Sequence, residues 1–306
     1  MADLKIKYIN RKTGEIEEET IYKSFAIELL YRVGSGTGFL GALCAFFLLP
    51  LFARLPFFSN LYGYLQKRSA SKEYIAPFIK KFNVDSSEFL KKVEDFTSFN
   101  DFFTRELRQG SRPIVDQSIV LPADGRYLVI DDISKTDGFF IKGQQFDLSS
   151  FLQDEVLAKK YARGSMVIAR LCPTDYHRFH FPCDGKIKGK PRLINGPLYS
   201  VNPLALRKNL QFIAENKRYI TEIESKIYGT LLFVEVGATN VGTVVQTYEK
   251  NRAVKGAEKG YFAFGGSCIV MLFENGKILF DDDLIRNSLQ YLETFSKVGQ
   301  SLGRPY

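Results

Sequence analysis

Lys259-Gly260-Tyr261-Phe262-Ala263-Phe264-Gly265-Gly266-Ser267-Cys268-Ile269-Val270-Met271-Leu272-Phe273 is the stretch from which the rest of the chain is read. Ile269 to Phe273 is short, branched and apolar, the pattern of a strand buried on both faces. Gly265-Gly266 stands where the backbone enters that strand, and a missing side chain there permits unusual torsions or close approach of another group. Two readings follow. In one, the glycines form a tight turn or bulge ahead of a core strand. In the other, Ser267 Oγ attacks the carbonyl of Gly266, which no Cβ shields, at a junction strained toward a tetrahedral geometry.

The chain has 306 residues, 45% of them hydrophobic and 27 of them Phe, enough for a sizeable core and for one large domain with an appendage or two domains. A net charge of +8 points to an acidic partner: nucleic acid, an anionic membrane surface or an anionic substrate. Four scattered cysteines, Cys44, Cys172, Cys183 and Cys268, make no disulfide scaffold and suit reduced, mostly buried thiols. Only two histidines exist, His177 and His180, so a base working near neutral pH has few other sources.

Residues 1–24 are polar, with a turn at Arg11-Lys12-Thr13-Gly14 and no secretory signal core. Residues 25–33 suit a short amphipathic helix. Gly34 to Ala53 is uncharged, interrupted by Gly34, Gly36, Gly38, Gly41 and Pro50; Leu55-Pro56-Phe57-Phe58 follows, and then Arg54, Lys67, Arg68 and Lys72 supply positive charge around it. The expectation is a hairpin of apolar helices in one leaflet, held by basic residues at an anionic surface. A transmembrane span and a buried core helix are the alternatives. Helical spacing continues from Tyr74 to about Leu107, with Ser98 capping a short helix over 101–107.

After Pro113 the texture changes to short β-type runs, at 119–121, 127–133, 139–142, 166–171, 187–193, 219–227, 230–236, 243–247, 269–273 and 278–280. Helices are expected near 148–160 and 204–215. The fold class is therefore α+β: a helical membrane-associating region over 1–112, then a mostly antiparallel catalytic domain over 113–306, built as a barrel or sandwich. Pro122-Ala123-Asp124-Gly125-Arg126 and Pro182-Cys183-Asp184-Gly185-Lys186 echo one another as Asp-Gly turns at strand starts.

Both histidines lie in Asp175-Tyr176-His177-Arg178-Phe179-His180-Phe181-Pro182. They point to opposite faces if the segment is extended and share a face if it is one helical turn. Each could be a packed or solvated structural residue. Cys172, His177, His180 and Cys183 have no compact zinc-ligand spacing, and no metal is expected. In the catalytic reading one histidine activates Ser267 and an aspartate orients it. The residues alone leave Asp124, Asp175 and Asp184 as candidates for that aspartate.

These segments resemble phosphatidylserine decarboxylases, through most of the chain. The paired-histidine segment extends to Cys183-Asp184-Gly185; Pro122-Ala123-Asp124-Gly125 is similar to the family's aspartate turn. Phe99 to Leu107, Ser200-Val201-Asn202-Pro203, Glu215 to Arg218 and Val236 to Gly242 are similar as well, and Gly266-Ser267 falls where the family cuts itself. Cys268 departs from the threonine common after the serine. The resemblance implies that Asp124, His180 and Ser267 act as a triad for self-cleavage between 266 and 267. Ser267 forms an ester with Gly266, elimination frees the chain ending at Gly266, and hydrolysis with loss of ammonia leaves a pyruvoyl group at 267. That group would condense with the amine of phosphatidylserine and accept the electrons freed as carbon dioxide leaves, giving phosphatidylethanolamine. His177 is implied in protonating the product carbon. Further implied are large and small chains that stay associated, an anionic membrane surface as partner, no nucleic acid, room for a homo-oligomer, and a peripheral or monotopic place on the cytoplasmic face of the cell membrane. Three other readings compete: a serine hydrolase with Ser267 intact, a non-catalytic membrane-binding module, and a pyruvoyl enzyme acting on a soluble amino acid, which should not need residues 34–58.

Overall fold

The computed structural model describes residues 5–20, 63–135, 147–199, 201, 211–238, 244–249, 251–263 and 267–306. The apolar segment 34–58, the run 139–142, residues 204–210 and Gly265-Gly266 lie outside them. Sixteen strands appear among the described residues: β1 (Lys5–Asn10), β2 (Ile16–Thr20), β3 (Ile119–Val120), β4 (Gly125–Ile130), β5 (Ser165–Leu171), β6 (Arg178–His180), β7 (Gly185–Ile194) and β8 (Arg218–Ser225) come first. They are followed by β9 (Gly229–Gly237), β10 (Val244–Gln246), β11 (Arg252–Ala253), β12 (Glu258–Phe262), β13 (Ser267–Phe273), β14 (Leu279–Phe280), β15 (Glu293–Ser296) and β16 (Ser301–Arg304). The α-helices include α1 (Ile75–Phe82), α2 (Phe99–Phe103), α3 (Leu148–Leu152), α4 (Glu155–Tyr161), α5 (Gln211–Glu215) and α6 (Asp282–Leu289).

Ten strands form one sheet in the order β11-β7-β8-β9-β13-β5-β4-β15-β1-β2, with three-stranded sheets β10-β12-β6 and β14-β16-β3 beside it. The α+β class and the antiparallel character hold; β1 with β15 is the one parallel pair among the described strands. No closed barrel forms among the described residues. The large sheet stays open, ending at β11 and at β2.

β13 sits at the centre, paired along its length with β5 and β9, and every residue of it is buried. Alternation puts Ile269, Met271 and Phe273 in a core with Phe179 and Phe262 on one face, and Cys268, Val270 and Leu272 in a core with Met166, Ile168 and Phe151 on the other. A continuous apolar run is thus what a strand covered on both faces requires. Fully burying each such side chain stabilises by roughly 1.5–3 kcal/mol, so this strand is an anchor of the fold.

Residues 5–20, expected in the helical region, form a hairpin that joins the large sheet through β15. Ile6 and Tyr8 alternate inward between exposed lysines, a strand period that the charges disguise. From 69 to 107 the helices are short. α1 and α2 close a Phe-rich cluster of Phe89, Phe96, Phe99, Phe102 and Phe103, and Ser98 caps α2 by accepting from the Asp101 N–H at 3.2 Å. The helix expected over 148–160 is broken into α3 and α4. Gln153 takes a left-handed φ of 45° and Asp154 caps the second piece, accepting from Val156 and Leu157. None of the described helices is long and apolar enough to cross a membrane.

Candidate active site

Ser267 is the first residue of β13, opposite Leu171 of β5 and Gly237 of β9. Strand parity turns its side chain to the face of Ile269, the face on which Phe179 of β6 and Phe262 of β12 also pack. It is fully buried, and its Oγ has no hydrogen-bond partner among the described residues. A buried hydroxyl without a partner is costly, which marks it as a position kept for chemistry or for a neighbour.

The histidine segment is extended where it joins β6, so the two rings diverge. His177 precedes the strand and shares the parity of Phe179; it is fully buried, and its backbone C=O accepts from Phe262 N–H at 3.0 Å. Its Nδ1 lies 2.9 Å from Asp175 O, which makes it the N–H that donates to that carbonyl and leaves Nε2 as a bare lone pair. Nε2 is buried without a partner among the described residues. Burial, reinforced by the Arg105 charge, pushes His177 down to about 3. The ring is neutral at physiological pH.

His180 is half-buried on the other side of the strand. Its Nδ1 lies 2.9 Å from Gly256 O, and Tyr176 O–H reaches its Nε2 at 3.4 Å. Burial lowers its proton affinity against the support of Gly256 O and of the Glu258 and Asp124 charges.

Asp124 is buried and held by Arg112, whose Nε and Nη2 donate to the two carboxylate oxygens at 2.9 and 2.5 Å, and by Val298 N–H at 2.9 Å. His180 N–H donates to Pro122 O at 2.8 Å, so the aspartate turn and β6 are neighbours. Asp124, His180 and Ser267 are not linked by side-chain hydrogen bonds in this arrangement. Asp184 instead accepts from Lys255 N–H, and Asp175 accepts from Arg126 and from Cys172 N–H. Cys172, His177, His180 and Cys183 do not gather into a ligand set; no group of three His, Cys, Asp or Glu residues among the described ones could hold a metal. Burial pushes the Cys268 thiol up to about 12, which makes it an inert packing group beside the serine.

Residues without an expected role frame the segment. Phe103 lies against the His177 ring at a centroid distance of 3.8 Å. Arg105 donates to Thr174 O and Asp175 O, and Arg178 donates to Thr104 O and pairs with Glu106 and Glu258. The stretch 99–107 is thus laid over the histidine segment, contact by contact. Its arginine between buried aromatics was the available signal in the sequence, since so apolar a setting seldom keeps a cation without a task.

The candidate residues are thus a buried serine at the head of a central strand, two differently held histidines and a carboxylate. The phosphatidylserine decarboxylase family profile matches residues 99–304. The chain is 48% identical to the phosphatidylserine decarboxylase proenzyme of Chlamydia muridarum, over all of this chain and 99% of that one. The proenzyme of Chlamydia caviae is 46% identical over 98% of each chain, and that of Chlamydia pneumoniae 45% over 98% of this chain and 97% of its own. This chain belongs to the phosphatidylserine decarboxylase family.

Proposed function

We propose that this chain is a proenzyme that cuts itself between Gly266 and Ser267 and then decarboxylates phosphatidylserine to phosphatidylethanolamine. Family membership supports the activity, and the observation that supports the route is the buried Ser267 Oγ at the head of β13, without a partner among the described residues. A hydrolase nucleophile must meet an outside ester. A fully buried hydroxyl is better placed to attack the residue joined to it, and the site fits a carbonyl group made in place from the serine. When formed, that pyruvoyl group supplies the electron sink for loss of carbon dioxide.

In this reading Asp124, His180 and Ser267 carry self-cleavage, and His177 serves decarboxylation. His180 then has to exchange Gly256 O for Asp124, and Arg112 has to share the carboxylate. A second reading has a specific observation behind it. His177 is fully buried, and its Nε2 has no partner among the described residues, so it is the alternative base for Ser267. The segment 34–58 is proposed to hold the enzyme at an anionic membrane surface, where a diacyl substrate resides; the membrane-associating part of 1–112 lies there, after the hairpin.

The test is the covalent state of the purified protein. Cleavage yields a chain ending at Gly266 and a chain of 40 residues, 267 to 306. The small chain should resist Edman sequencing, weigh one ammonia less than the unmodified peptide, and take up an amine under cyanoborohydride. Ser267→Ala should give one uncut, untagged and inactive chain. An active enzyme recovered as a single chain would return Ser267 to the hydrolase reading.

A further inference from the structure

Arg105 is 4% exposed, yet no carboxylate is bonded to it among the described residues. Its Nη2 donates to Thr174 O at 2.9 Å and to Asp175 O at 3.0 Å. Its Nε and Nη1 have no partner among the described residues, and its guanidinium lies 5.1 Å from the ring centres of Phe89 and Phe102. A cation left in such surroundings loses solvation that carbonyls and ring faces recover only in part. Burial accordingly pulls Arg105 down to about 10, with Asp124 and Asp175 opposing and Arg112 adding to the fall. A neutral residue would fill this space at lower cost, so the charge or the fork has a use here.

The use is legible in one shared oxygen. Asp175 O accepts from Arg105 Nη2 and from His177 Nδ1, 3.0 and 2.9 Å away. The guanidinium fixes this carbonyl, the carbonyl fixes the imidazole, and Phe103 fixes the ring plane. We propose that Arg105 is a positioning residue for His177: it clamps the 174–175 carbonyls so that His177 stays an Nδ1–H imidazole with Nε2 left as an acceptor.

This rests on the reading that His177 serves the site, and it adds the state in which the ring serves. An imidazole held neutral with Nε2 open is an acceptor first. Before it can protonate a product carbon it must take a proton, and the substrate's ammonium group, which has to lose one before its nitrogen can react as a nucleophile, is the donor of that chemistry. One proton moves from nitrogen to Nε2 and later from Nε2 to carbon, and the amine released at the end takes up one proton from solvent, the proton that decarboxylation consumes overall. The charged and titratable groups facing this unit are Arg105 itself, Asp124, Asp175, Arg112 and Tyr176. The Arg105 cation disfavours an imidazolium beside it, in the same direction as burial.

With only two histidines in the chain, selective 15N labelling resolves both rings in full-length protein. The measurement is made on the uncut Ser267→Ala chain in detergent, so it depends on neither cleavage nor turnover. His177 should show the Nδ1–H tautomer and no titration above pH 5. Arg105→Gln should raise its titration by about one unit or more and mix the tautomers. Arg105→Lys, keeping charge without the fork, should leave the ring neutral near pH 7 while mixing the tautomers. An unmoved His180 signal reports an intact fold, and if Arg105→Gln does not fold, Arg105→Lys carries the test. An Nε2–H tautomer in the parent chain, or tautomer and titration unchanged in the folded variants, overturns the proposal. A failure of the pyruvoyl reading shows instead as an enzyme with Ser267 in place that is active while uncut.

Discussion

At the scale of single residues, the two histidines differ in what their Nδ1 atoms meet. His177 is tied to Asp175 O within its own turn, and His180 to Gly256 O across to the 254–257 turn. His180→Ala should therefore block self-cleavage and leave one chain, while His177→Ala should mature and lose release of carbon dioxide. Chain mass and evolved carbon dioxide read the two steps separately, and exchanged effects would establish His177 as the base of Ser267. Lys259 and Glu235 offer a stability test away from the reacting atoms. Both are fully buried and ion-paired, with Gln246 accepting from Lys259 at 2.8 Å and the Phe233 ring centre 5.0 Å from the ammonium. Glu235→Leu alone strands the lysine and should cost about 3–5 kcal/mol by urea denaturation. Glu235→Leu with Lys259→Met should restore most of the loss, because a buried pair is often replaceable by apolar side chains. A double variant as weak as the single would show that the pair itself carries the stability.

At the scale of elements, the amino-terminal hairpin is fastened to the site by Glu19 of β2. Its carboxylate pairs with Arg126 at 2.7 Å and Arg170 at 3.1 Å, and Arg126 in turn holds Asp175, which opens the histidine segment. Burial opposes ionisation of Glu19, but Arg170 and Arg126 outweigh it and bring the group from 4.5 to about 2. A depressed carboxylate stabilises the fold above its unfolded pKa and loses that contribution as pH falls toward its folded one. Glu19→Gln should thus cost on the order of 3 kcal/mol at pH 7, with the gap closing between pH 4.5 and 2. Denaturation at pH 7 and pH 2 checks the sign; an equal gap at both would place the effect in packing alone.

At the scale of the whole molecule, the proposed cut divides the sheet at its centre. The small chain would own β13, flanked on both sides by strands of the large chain, and β15, flanked by β4 and β1. The two chains should co-purify after cleavage and separate only in denaturant; a small chain lost on dilution in native buffer would contradict this register. The hairpin also changes how the membrane segment is to be tested. Deleting the first 60 residues would strip Glu19 from two buried arginines, so the informative deletion is 34–58 alone. It should move the protein from membrane to soluble fractions with self-cleavage intact. Unchanged retention would place the anchor elsewhere.

The sequence by itself determined whatever depends on neighbours along the chain. The apolar run after Gly265-Gly266 has to be a two-sided strand, and β5, β7, β8 and β9 lie where their branched and aromatic runs begin. Ser98 caps α2 because its hydroxyl reaches an N–H three residues on. β1, β2, β6, β11, β12, β15, β16 and α6 were not legible: they are short, or carry charged and glycine residues, and the strands are fixed by pairing with strands remote in sequence. The site divides in the same way. Which residues are reactive follows from residue type and order, but which partner each one holds does not. Arg112 on Asp124, Gly256 on His180 and Arg105 above His177 each join segments brought together by folding. Only the tertiary structure decided them, because burial sets a polar group's partner by who is near when water is gone.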